Sequence, residues 1–96
     1  MTFDEAFNAA EDRLGNVTVC GEAPKASVRV KALAACRDRC RESMRDRGRL
    51  PTRWQLRSAA NKAVGFGPLT WLWIAVMVGR LLLILRELLN RETQHA

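Results

Sequence analysis

Tyrosine is absent from this chain of 96 residues, and histidine occurs once, at position 95. A single histidine near the end of the sequence excludes a histidine-rich metal site and leaves no base at hand to activate a thiol or hydroxyl. There is no Gly-rich phosphate loop, no metal-ligand spacing and no pair of carboxylates in an apolar setting. The chain is therefore expected to be no enzyme, with no catalytic residue, no bound metal and no cofactor. With 3 prolines and 6 glycines, little interrupts helix formation. The one β-branched patch, Asn16 to Glu22, cannot build a sheet by itself and is read as a connector. The first thirty residues hold no apolar run, so no signal peptide is expected.

Cysteine is sparse too. Three thiols, an odd count without a secretory leader, suit a reducing compartment. Cys36 and Cys40 lie four apart and share one helical face, but two further metal ligands are not at hand. They read as small buried residues of a helix contact.

The charge is unevenly spread. Residues 1–24 carry Asp4, Glu5, Glu11, Asp12 and Glu22 against Arg13 alone, whereas residues 25–62 carry twelve Lys/Arg against Asp38, Glu42 and Asp46. This polarity invites the N-terminal segment to pair with the middle one, within a chain or between copies.

Four regions follow. Residues 1–23 are an acidic helix and its connector: Thr2 is placed as N-cap with Glu5 three residues on, Phe3, Phe7, Ala10 and Leu14 share a face, and Gly15 ends the helix. Residues 24–64 are a basic helical region. Its first helix opens at Pro24 or Ser27, carries Val30, Leu33, Cys36 or Ala34, Cys40 and Met44 as an apolar stripe, and stops at Gly48. After Leu50-Pro51, the pattern Thr52-Arg53-Trp54-Gln55 is a second capping box, opening a helix that ends near Gly65. Residues 65–92 form the apolar helix, started by Pro68, and residues 93–96 a polar tail. The predicted fold is all-α: three short amphipathic helices and one long apolar C-terminal helix.

The stretch from Gly48 to Gly67 (GRLPTRWQLRSAANKAVGFG) resembles the leading helix of a winged-helix repressor, in which a Pro-Thr cap precedes a helix ending at Gly. The resemblance covers about twenty residues and stops where a recognition helix would follow. Leu69 to Val78 offers almost nothing polar to base edges, so no DNA-reading site is carried over.

The C-terminal stretch dominates the reading. From Phe66 to Leu85 it holds one charge, Arg80, and eleven Leu, Ile, Val or Phe. Twenty residues at ~1.5 Å each give ~30 Å, the thickness of a bilayer's hydrocarbon core. Each large aliphatic contributes roughly −0.3 to −0.6 kcal/mol to insertion and a central Arg costs about +2.5 to +3.5 kcal/mol, so the sum favours lipid. Phe66, Trp71 and Trp73 crowd one end as an interfacial belt would, and Arg80 is close enough to the other end to snorkel. A single transmembrane span is expected, with the basic region keeping the N-terminus cytoplasmic. The same stretch also supports a buried helix. Ile74, Val78, Leu81, Leu85 and Leu88 follow a heptad-like 4-3-4-3 seam, which suits a helix core or an association face.

Two groups of residues are singled out. Phe66, Trp71, Trp73, Ile74, Val78, Arg80, Leu81, Leu85 and Leu88 are expected to meet membrane or a second helix. Arg37, Arg41, Arg45, Arg53, Trp54 and Arg57 are expected to meet phosphate or an acidic partner. The function expected is non-catalytic: assembly at a lipid bilayer as a homo-oligomer or with an acidic protein. The alternative is a soluble helical oligomer with the apolar helix as its core, binding nucleic acid through the basic helix.

Overall fold

The computed structural model describes residues 2–65 and 67–95, with side chains described as far as Arg91. It contains four helices, α1 (Phe3–Leu14), α2 (Ala26–Arg47), α3 (Arg53–Val64) and α4 (Pro68–His95), and no strand among the described residues. Phe66 lies outside the described residues.

The helix ends follow local chemistry. The Thr2 hydroxyl accepts from the backbone N–H of Glu5 at 3.2 Å, satisfying a donor that no intrahelical carbonyl can reach, and Asp4 and Glu5 complement the positive end of the α1 dipole. At α3 the box is complete: Gln55 N–H donates to the Thr52 hydroxyl at 3.2 Å, and the Gln55 side chain accepts from Thr52 N–H at 3.0 Å. α2 starts from Lys25 with no side-chain cap, two residues before Ser27 could have supplied one. It stops at Gly48, left-handed at φ 70° and ψ 19°, whose N–H returns to the Met44 carbonyl. The Ser43 hydroxyl then donates to the Arg49 carbonyl at 2.7 Å, closing the corner that turns α2 back onto α3.

The connector between α1 and α2 is tighter than a loop reading implies. Val19 and Glu22 exchange both backbone hydrogen bonds, at 2.8 and 3.0 Å, around Cys20 and Gly21. Both central residues have positive φ, 54° and 75°, as a two-residue hairpin of the right-handed twist requires.

α4 is the axis of the molecule. Its 28 residues span ~42 Å at 1.5 Å each, and the molecule's longest extent is 42 Å. Trp73, Ile74, Met77, Val78, Leu81, Leu82 and Leu85 are all buried, in pairs recurring every four residues, so one half of the helix circumference faces inward. They form one continuous core with Phe7, Ala10 and Val17 from the N-terminal segment, Ala32, Cys36 and Cys40 from α2, and Leu56 and Ala60 from α3. Each fully buried large aliphatic contributes about 1.5–3 kcal/mol.

The buried stripe of α2 differs from the expected one. Val30 is exposed and Met44 only half-buried; the core-facing line is Ala32, Cys36, Cys40 and Ser43. Small residues on this line suit the packing of α2 against α3, which contributes Leu56 and Ala60 to the same core. α4 also continues as helix to His95, three residues into the segment read as a polar tail.

Candidate functional site: the basic and aromatic face of α3 and α4

Two sides of the molecule treat charge differently. On one side two acids of α1 pair with two arginines of the basic helix. Arg37 donates to Glu11 at 2.9 Å and to Asn8 at 3.2 Å, and its guanidinium stands 5.2 Å from the centre of the Phe7 ring. Arg41 donates to Asp4 at 2.8 Å and lies 3.6 Å from Asp38; the Asp4 contact raises the Arg41 pKa further, keeping it charged. Arg45 pairs with its neighbour Asp46. The three arginines that the sequence pointed to on α2 thus already have partners within the chain.

The other side, where α3 lies along α4, keeps its positive charge free. Arg57 sits between two indoles, its guanidinium carbon 4.7 Å from the Trp54 ring centre and 4.9 Å from that of Trp71. Each contact is within cation–π range. Sequence reasoning assigned Trp54 and Arg57 to one group and Trp71 to another; the α3–α4 packing brings the three together. Trp54 is 70% exposed and Trp71 42%.

Beside this stack a groove of about 590 Å³ runs between the first turn of α3 and the outer face of α4. Ala75, Val76, Gly79 and Leu83 form its apolar floor, and Arg53, Arg80 and Arg86 its rim. No carboxylate lines it, and these three arginines have no ion-pair partner among the described residues. Leu83 is 66% exposed, and a Cβ added at Gly79 would meet nothing within 4 Å. Leu72, also exposed, extends the apolar line toward Trp71. A second hollow of about 390 Å³, flanked by Trp54, Arg57, Lys62 and Trp71, also touches Asn61, whose buried side-chain oxygen has no hydrogen-bond partner.

The expected seam behaves otherwise. Ile74, Val78, Leu81 and Leu85 are fully buried against the rest of the chain, and Leu88 is half-buried. Trp73 is 1% exposed and donates its indole N–H to the Val17 carbonyl at 2.8 Å. In this fold neither the first four seam residues nor Trp73 are open to lipid or to a second copy; the large apolar residues of α4 that are exposed are Leu72, Leu83 and Trp71. The helical period explains the reversal. Residues 72, 76, 79 and 83 form a second 4-3-4 line on the outer side, and sequence alone could not say which line the other helices would cover.

The Cys36 and Cys40 thiols are pushed up to about 12, chiefly by burial, and stay protonated at neutral pH. Cys20 is exposed, and no group of three or more potential metal ligands exists among the described residues. Comparison of the chain with family models, with curated proteins and with solved structures returns no match.

α4 remains long and apolar enough to cross a membrane. Pro68–Arg91, 24 residues, has a mean hydropathy of 1.9 over its most apolar stretch, of which 39% is buried inside the molecule.

Proposed function

We propose that this is a small, non-catalytic helical protein that acts at a membrane through α4, and that assembles there with itself or with an acidic partner. One observation carries the reading: the most apolar helix of the chain is long enough to span a bilayer, and fewer than half of the residues in its most apolar stretch are fully buried by its own fold. The core helix of a water-soluble bundle has its apolar surface enclosed. Here Leu72 and Leu83 are exposed beside two indoles and a row of unpaired arginines, the composition of a bilayer interface.

Docked and inserted forms then differ in what covers the seam. Asp4, Glu5, Glu11 and Asp12 keep α1 out of hydrocarbon, so α4 crosses a bilayer only after α1 leaves it and the Trp73–Val17 hydrogen bond opens. Opening frees Ile74, Val78, Leu81, Leu85 and Leu88 for a second copy, and gives Arg80 a reason to find a partner. The basic α2–α3 region holds the N-terminus on the cytoplasmic side by the positive-inside rule.

A second reading has its own support. The inward seam and the buried Trp73 hydrogen bond are features of a helix at home in a water-soluble bundle, as in a soluble helical oligomer. Fractionation separates the two. The membrane reading expects the protein in the pellet after high-speed centrifugation, resistant to alkaline carbonate and released by detergent. Full recovery in the supernatant, with no flotation on vesicles of any composition, overturns it.

A further inference from the structure

The groove between α3 and α4 has properties that a generic membrane-seeking helix does not need. Three arginines line it beside Thr52 and Trp54, with Arg53 contributed by one helix and Arg80 and Arg86 by the other. Its floor is apolar and runs from Ala75 to Leu83, nine residues spanning ~12 Å of helix. Gly79 leaves the middle of that floor open, and none of the described residues comes within 4 Å of where its side chain would begin. On the α1–α2 side Arg37 and Arg41 are paired with Glu11 and Asp4, whereas Arg53, Arg80 and Arg86 share this one groove with no ion-pair partner among the described residues.

We infer that the groove is a binding site for one anionic phospholipid of a bilayer leaflet, its phosphate held by Arg53, Arg80 and Arg86 and one acyl chain lying over Val76, Gly79 and Leu83. This inference rests on the membrane reading above and adds to it a ligand class and a site. Charge complementarity selects the ligand: three guanidiniums with no carboxylate among them attract an anion, and the guanidinium fork matches phosphate oxygens two at a time. The apolar floor selects an anion with a hydrocarbon tail over a free phosphate. A second copy of this chain is disfavoured, since its matching face would bring three more arginines to the same groove. The exposed Trp54 and Trp71, with Arg57 between them, stand beside the groove at the level where indoles prefer to sit in a bilayer. The intact fold thus docks flat on an anionic leaflet by its α3–α4 face, before any opening of the core.

The test uses the full chain with vesicles of phosphatidylcholine alone, or mixed with phosphatidylglycerol, at one ionic strength. It also uses dihexanoyl phosphatidylglycerol and dihexanoyl phosphatidylcholine below their micelle concentrations as soluble probes. Wild type is expected to float with phosphatidylglycerol vesicles and to bind the short-chain phosphatidylglycerol, shifting the amide signal of Gly79. The triple variant Arg53→Gln/Arg80→Gln/Arg86→Gln is expected to bind the mixed vesicles on the order of a hundredfold more weakly, about fivefold per basic residue at an anionic surface. Lys25→Gln/Lys31→Gln/Arg47→Gln removes the same charge away from the groove and is expected to retain the soluble-lipid shift. Gly79→Leu fills the groove floor on the outer side of α4, where an added side chain meets open space, so it is expected to fold and to lose the short-chain lipid.

The outcomes separate the two proposals. No recovery of wild type on any vesicle overturns the membrane reading itself. Flotation that the groove triple and Gly79→Leu leave unchanged, or that both triples weaken alike, overturns the lipid site while leaving that reading in place. Binding of an acidic amphipathic peptide at the groove, with no binding of short-chain phosphatidylglycerol, also overturns it.

Discussion

Trp73 and Val17, 56 residues apart, are joined by a buried hydrogen bond from the indole N–H to the main-chain carbonyl, 2.8 Å long. It fastens the connector after α1 to the first turns of α4, and it is what separates this fold from a free apolar helix. Trp73→Phe leaves the Val17 carbonyl buried and unpaired and opens a small cavity, for a cost of about 2–4 kcal/mol. For a chain of this size the melting temperature is expected to fall by roughly 10 °C or more, read by circular dichroism. An unchanged melt would show that the connector is not fastened to α4 in solution.

The turn at Cys20-Gly21 offers the opposite sign. Cys20 is the only described non-glycine residue with positive φ, where an ordinary side chain costs about 1–2 kcal/mol and asparagine is tolerated. Asn-Gly is the favoured pair for such a two-residue turn. Cys20→Asn is expected to raise stability by about 0.5–1 kcal/mol, measured as a higher urea midpoint at constant slope.

Much of this architecture could be read in advance. The Thr2 and Thr52 caps, the stop at Gly48 and the four-helix order follow from local chemistry that tertiary packing does not override. The pairing of acidic α1 with basic α2 was legible as a charge asymmetry, and Arg37–Glu11 and Arg41–Asp4 realise it within one chain. What was not legible was which side of α4 is covered. The segment is apolar nearly all round, so periodicity offers two competing stripes and no reason to prefer either. The Trp54–Arg57–Trp71 stack and the arginine-rimmed groove were hidden for a related reason. Their members come from helices whose mutual rotation is set by packing, not by spacing along either one.

The buried thiols give a pH signature. Folding raises Cys36 and Cys40 from 9.0 to about 12, so the folded state holds these protons more tightly than the unfolded state. Their contribution is fully present below pH 9 and is lost as pH rises from about 9 to about 12, at up to about 1.4 kcal/mol per pH unit for each thiol. At pH 8, Cys20 alone is expected to react rapidly with Ellman's reagent, and all three thiols in guanidinium. Rapid reaction of three thiols in the native protein would mean that α2 does not hold its face against the core.

Leu81 and Leu83 lie two residues apart on α4 and face opposite ways, and together they separate folding from membrane insertion. Leu81 is fully buried, so Leu81→Asp places a carboxylate in the core. Such an ion either stays unpaired or takes up a proton, and the cost of several kcal/mol is comparable to the whole stability of a small domain. Leu83 is 66% exposed, and Leu83→Asp meets water; the fold is expected to survive it within about 0.5 kcal/mol, with near-native helical signal and melt. A bilayer does not share this asymmetry. In a span both positions sit within hydrocarbon, and replacing either leucine by aspartate costs about 3–4 kcal/mol of insertion free energy. If α4 inserts, Leu83→Asp yields a protein that folds normally in buffer yet fails to resist carbonate extraction. If α4 stays in a water-soluble bundle throughout, only Leu81→Asp has an effect, and it appears as unfolding.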